Sequence, residues 1–279
     1  MHRWETLQDL LRSRTAAFGL GLIALVVLVA LAGPWLAPHD PLKPVPLERL
    51  QGPSGDHPFG TDSLGRDILS RVIYGARISL TIGLIAVAIS LVPGTLLGLA
   101  AGYFGGRIDS LIMRLMDMLL AFPAILLAIV ITAILGPSLP NTMVAVGIVY
   151  IPHYARIVRA SVLSLKEQLF VQAIAHLGGS HLRILGRHIL PNALPPIIVY
   201  ATLGMGTAVL QAAALGFLGL GAQPPQPEWG AMLSEGRQYI QNAPHVAAFP
   251  GAAILLLVLG FNLFGDGLRD VLDPSLRSV

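Results

Sequence analysis

Cysteine is absent from this chain, which excludes disulfide bridges, thiol catalysis and cysteine metal sites. Lysine occurs only at Lys43 and Lys166, and neither follows a glycine. The phosphate cradle G-x-x-x-x-G-K-[ST] therefore cannot be built, and ATP hydrolysis by that route is excluded. H-E-x-x-H and G-x-S-x-G are missing as well, so neither a zinc-peptidase helix nor a nucleophile elbow is present. Charge is scarce: Asp, Glu, Lys and Arg make up 12% of the 279 residues, about half the share of a soluble domain. With a mean hydropathy of +0.71, that scarcity indicates an integral membrane protein. The net charge of +3 contains no basic tract, so nucleic acid is not an expected partner.

Long hydrophobic runs, by contrast, are plentiful. Thr15 to Pro38 carries no charge and is long enough to cross a hydrocarbon core of roughly 30 Å. Ala30-Leu31-Ala32 could pass for a cleavage site. The run is longer than the roughly 7–15 apolar residues of a signal peptide, so an uncleaved first span is expected. Met1 to Arg14, with Arg3, Arg12 and Arg14, is amphipathic enough to lie along the membrane surface. Further spans are expected within 78–106, 110–135, 141–163, 193–215 and 246–265. In the second, Gly94, Gly98 and Gly102 recur every four residues and admit close approach of a neighbouring helix. In the third, Arg114 and Asp117 are expected to form a local ion pair. Ahead of the second span, Ile68, Leu69, Val72, Ile73 and Ala76 make one apolar stripe, with Asp67 and Arg71 paired opposite.

The expected organisation is all-α, with six transmembrane helices. Residues 1–37 hold the N-terminal segment and first span, 38–76 an extracytoplasmic loop with an interfacial helix, 77–270 a five-helix core, and 271–279 a cytoplasmic tail. Six spans place both termini on one face. Taking that face as cytoplasmic puts twelve basic residues inside and six outside, as the positive-inside rule requires.

Within the core, the loop 164–191 is polar and basic between two apolar runs. Leu169, Phe170, Ala173, Ile174 and Leu177 share one side of a short helix. Gly178 and Gly179 break it, Ser180 is a candidate N-cap for a second helix carrying Leu182, Leu185 and Ile189, and Pro191 falls where a following helix can begin. His176, His181 and His188 are spaced by five and seven residues, which does not stack them on one face. They are expected to meet solvent or a partner rather than a metal.

The same loop carries a family resemblance. ABC importer permeases have the signature E-A-A, three residues, Gly, nine residues, Ile-x-Leu-Pro. Ala173, Gly178, Leu190 and Pro191 stand in that register, while Gln172, Ile174 and His188 depart from it. Phe59-Gly60-Thr61-Asp62-Ser63-Leu64-Gly65-Arg66-Asp67 and Gln223-Pro224-Pro225-Gln226-Pro227-Glu228-Trp229-Gly230 resemble the dipeptide, oligopeptide and nickel branch. The resemblance implies a type I ABC importer permease fold in an inner membrane, with no cofactor and no catalytic residues of its own. It implies a heterodimer with a second related permease, two ABC ATPase subunits, a soluble solute-binding protein and surrounding membrane lipid. Gln172, Ala173, Gly178, Gly179, His181, Leu190 and Pro191 would then form the ATPase-coupling loop. The alternative is a secondary carrier or channel without ATPase partners. It would need acids or broken helices near the midplane, whereas the charges here sit at span ends. An embedded enzyme would need a His–acid partnership beside Ser79, Ser90 or Thr132, and none accompanies them.

Overall fold

A computed structural model describes residues 13–272. The described residues form helices and no strand, apart from one isolated bridge between Thr61 and Asp67. Helix α1 spans Arg14–Leu36, α2 Ile68–Phe104, α3 Gly106–Leu120, α4 Ala124–Leu135 and α5 Leu139–Lys166. A short α6, Leu169–His176, leads into α7, His181–Phe217, followed by α8, Trp229–Gly236, and α9, His245–Leu272.

Helices α1, α2, α7 and α9 are each long and apolar enough to cross a membrane, and α3 with α4 makes a bent pair. The sixth pass is α5, whose 28 residues extend about 42 Å at 1.5 Å per residue. It can be less apolar than the others because it packs against α2, α4 and α7. Most of Met1–Arg14 and of the tail 271–279 lies outside the described residues.

The centre of the bundle is the α2–α5 crossing, and the glycine stripe makes it possible. A Cβ on Gly98 would stand 2.5 Å from the Ala155 carbonyl oxygen, and one on Gly102 would stand 2.7 Å from Val162 Cβ. Val158 and Val162 are fully buried there. The close approach expected from the spacing of four is thus realised against α5. Helix α1 lies at the edge, seated on α9.

Four local expectations are corrected. The third span is not straight: α3 and α4 meet at 89°. Pro123 lacks a backbone donor and disfavours helical geometry at the residue before it, so the helix stops at Leu120 and restarts at Ala124. Asp117 bonds Arg156 of α5 at 2.6 Å rather than Arg114. The segment from Ile68 has no break before the second span, for α2 runs uninterrupted to Phe104.

Asp67 and Arg71 do not pair across an exposed turn either. Both are buried, with Arg71 1% exposed. Asp67 caps α2 by accepting from the Ser70 backbone N–H at 2.8 Å and meets His57 Nδ1 at 2.9 Å. Arg71 faces Asp62 at 3.4 Å and Glu235 at 3.7 Å, and Arg66 bridges the same two carboxylates at 2.6 and 2.8 Å. Trp229 Nε1 donates to the Val72 carbonyl at 3.0 Å. Two stretches far apart in sequence are thereby locked into one cap over this end of the bundle. His57 Nε2 also meets Glu48 at 3.2 Å. Burial lowers the His57 pKa, but the bonds to Asp67 and Glu48 outweigh it and the net shift is upward.

Candidate functional site: the knob between α5 and α7

The end opposite the cap carries the 164–191 knob. Helix α6 ends because the chain turns left-handed at Gly178, where φ is +82°. The Gly179 N–H bonds the Ile174 carbonyl at 3.0 Å and the Gly178 N–H bonds the Ala175 carbonyl at 3.1 Å. That pair of bonds is a Schellman motif, which satisfies the carbonyls a helix end leaves open. Gly179 is needed for a different reason. A Cβ there would meet Ile174 Cγ2 at 2.8 Å and its carbonyl oxygen at 2.9 Å. The two glycines make the hinge expected from the sequence.

The faces of the knob are distributed differently from expectation. Its inward anchor is Val171, packed with Ile184, Ile189 and Val162 and joined by the partly buried Ile174. Leu169 is 83% exposed, Leu177 86% and Leu182 84%, so most of the expected apolar stripe points away from the protein. Ala173 is exposed on the same helix. Gln172 Nε2 donates to the Glu167 carbonyl at 3.3 Å, and the Gln172 carbonyl accepts from His176 Nδ1 at 2.7 Å.

Ser180 takes the extended geometry of an N-cap, but its side chain makes no capping bond. Regular α-helix does start at Leu190 with Pro191 in its first turn, as expected, but it continues an existing helical path. Helix α7 already runs from His181, widened into a π-helical stretch over Ile184–Ile189, and Leu190 and Pro191 lie within it. The wider turn bonds the Leu190 N–H to the Leu185 carbonyl, a register into which a proline one residue later can follow.

The structure adds residues that sequence reasoning missed. Tyr103 OH meets His181 Nδ1 at 2.8 Å, tying the knob to the end of α2. Lys166 Nζ donates to the Gly102 carbonyl at 3.3 Å. Arg159 donates through Nε and Nη2 to the two Asp109 oxygens, each at 2.6 Å, a forked pair that joins α3 to α5. The tyrosine just before the polar break and the charges at the span ends were the available signals. His176, His181 and His188 do not converge. The one group of described residues spaced like metal ligands is His39, His57 and Asp67 at the cap, where Asp67 already accepts from His57 and Ser70.

The knob is thus an exposed apolar surface anchored to α2, α5 and α7. Long apolar membrane-crossing helices, with an exposed apolar knob between two of them, are the architecture of a membrane transport permease. Residues 94–278 match the family described as the binding-protein-dependent transport system inner membrane component, and residues 3–53 match the N-terminal transmembrane domain of oligopeptide transport permease C. The chain belongs to that binding-protein-dependent permease family, the transmembrane subunits of ABC importers.

Among curated relatives, it is 55% identical to a dipeptide transport system permease of Alkalihalophilus pseudofirmus, covering 98% of this chain and 90% of that one. It is 50% identical to a di/tripeptide permease of Pseudomonas aeruginosa, over 99% and 93% of the two chains. A glutathione transport permease of Escherichia coli is also 50% identical, over 98% and 90%. In fold, it is similar to the inward-facing methionine ABC transporter MetNI, with a TM-score of 0.58 and 21% identity, covering 73% of this chain and 97% of that one.

Proposed function

We propose that the chain forms one half of the translocation pathway of a short-peptide importer, working by ATP-driven alternating access. It sits in the inner membrane with both termini in the cytoplasm, beside a second, related permease. Two ABC ATPase subunits dock beneath it, and a soluble binding protein delivers substrate at the capped end. ATP is hydrolysed in those partner subunits. The substrate class follows relatives whose names are dipeptide, di/tripeptide and glutathione permeases.

The single observation that carries the mechanism is the knob, which is packed inside and apolar outside. Gln172, Ala173, Gly178, Gly179, His181, Leu190 and Pro191 are its coupling residues. The glycines shape the turn, His181 links it to Tyr103, and Leu190 with Pro191 passes its motion into α7. Closure of the ATPases pushes Leu169, Leu177 and Leu182, the bonds from Lys166 and His181 carry the push to α2, and Arg159 passes it from α5 to α3.

Purification of tagged chain in mild detergent tests the assembly. A second permease and P-loop ATPases should co-purify, with hydrolysis stimulated by binding protein and dipeptide. A stable, solitary protein would refute the reading. A cysteine introduced by Ser180→Cys should react with a membrane-impermeant reagent only from the cytoplasmic side.

A further inference from the structure

Helix α3 has two unlike sides. Inward, Met116 is buried and Asp109 is held by Arg159, while the exposed Asp117 is engaged by Arg156 of α5. Outward, Ile108, Leu111, Leu115 and Met118 are exposed in a row at the i, i+3, i+7 spacing of one helical face. Arg107 and Arg114 are exposed and flank that row on one side. Neither has an ion pair or hydrogen-bond partner among the described residues.

Orientation follows from two observations. Helix α4, AILLAIVITAIL, is apolar on every side and packs along α5. An 89° bend therefore turns α3 toward the membrane plane. The contacts on α5 agree. From Asp109 to Asp117 the chain advances about 12 Å along α3, while their partners Arg159 and Arg156 are about 4.5 Å apart along α5. The helix crosses α5 steeply, next to the end of α2 and the knob.

We propose that α3 is an interfacial helix that binds anionic phospholipid. Ile108, Leu111, Leu115 and Met118 lie among the acyl chains, and Arg107 and Arg114 hold headgroup phosphates. An amphipathic helix lying in the membrane plane buries its apolar row in the acyl boundary and keeps its basic flank at headgroup level. The guanidinium fork matches phosphate geometry. Charge selects the occupant: two unpaired arginines face a leaflet that carries negative headgroups on the cytoplasmic side. The inference rests on the proposed cytoplasmic placement of the knob. Each arginine contributes about a fivefold preference for anionic lipid, so removing both should cost roughly thirtyfold.

The test uses the assembled importer complex with phosphatidylglycerol or phosphatidylcholine as probe. Native mass spectrometry should show wild type retaining phosphatidylglycerol over phosphatidylcholine, and the Arg107→Gln/Arg114→Gln variant losing that preference roughly thirtyfold. A Leu111→Trp variant should gain fluorescence that brominated lipid quenches, relative to the parent. Unchanged phosphatidylglycerol retention in the double variant would overturn the inference. So would a Leu111→Cys variant that cross-links to the second permease, which would assign the face to a protein partner. Subunit composition is scored on the same samples. An intact complex without lipid preference sinks this inference alone, whereas a wild-type chain that assembles with no ATPase sinks the importer reading.

Discussion

Gly178 offers the most specific test of how the knob is built. Its φ of +82° lies in the left-handed region, and a Cβ built there meets nothing within 4 Å. Substitution cost is therefore conformational, free of any clash. An L-residue in that region costs roughly 1–2 kcal/mol, Asn and Asp less because they tolerate it, and a β-branched residue more. One to two kcal/mol shifts the population of the folded turn by about 5–30-fold. Coupled transport should then rank Gly and Asn highest, Asp close behind, Ala lower and Val lowest. The assay is peptide uptake by proteoliposomes, with ATP hydrolysis measured in parallel. Hydrolysis should persist while uptake per ATP falls, because the ATPases keep their own active sites. Wild-type coupling in Gly178→Val would refute the reasoning. A fall in Gly178→Asn as deep as in Gly178→Val would refute the left-handed turn as its cause.

Other positions give independent outcomes. Gly98→Ala forces a Cβ against the Ala155 carbonyl and should lower stability by about 1–3 kcal/mol, read as a reduced melting temperature. Gly21→Ala, with open space around it, should leave melting unchanged or raise it slightly. Asp62→Asn strips the buried Arg66 and Arg71 of a shared carboxylate and should cost about 3–5 kcal/mol by the same assay. His57 binds its proton more tightly in the folded protein than unfolded. Its stabilisation is complete below about pH 6.5 and is lost as pH rises through the higher folded value. A melting temperature that falls with rising pH in wild type but not in His57→Gln checks it. Tyr103→Phe removes the bond to His181, worth about 1 kcal/mol, and should reduce uptake severalfold with no change in subunit assembly.

Features that rest on local chemistry were legible in the sequence. A glycine pair after an apolar turn specifies a helix stop wherever it occurs, so the knob hinge was readable. The stripe of Gly94, Gly98 and Gly102 likewise announced a close crossing, though not that α5 would fill it. Pro123 carried the signal for the break in the third span, but neither its 89° angle nor the contacts of Asp109 and Asp117 with α5 could be read locally. The pairing of Arg71 with Glu235 was unreadable for a related reason: the two lie more than 150 residues apart and meet only through the fold. Pro191 marked the start of regular α-helix correctly, but nothing local announced the π-helical stretch that joins it to His181. Tyr103 stood out at the polar break, but only the fold pairs it with His181.

The most direct test of the account is a cross-link from the exposed tip of the knob. With Leu177→Cys in the assembled complex, a short bifunctional reagent should join this chain to an ATPase subunit, with a yield that changes on adding ATP. An assembled, transport-active complex that gives no such adduct would contradict the coupling role of the knob.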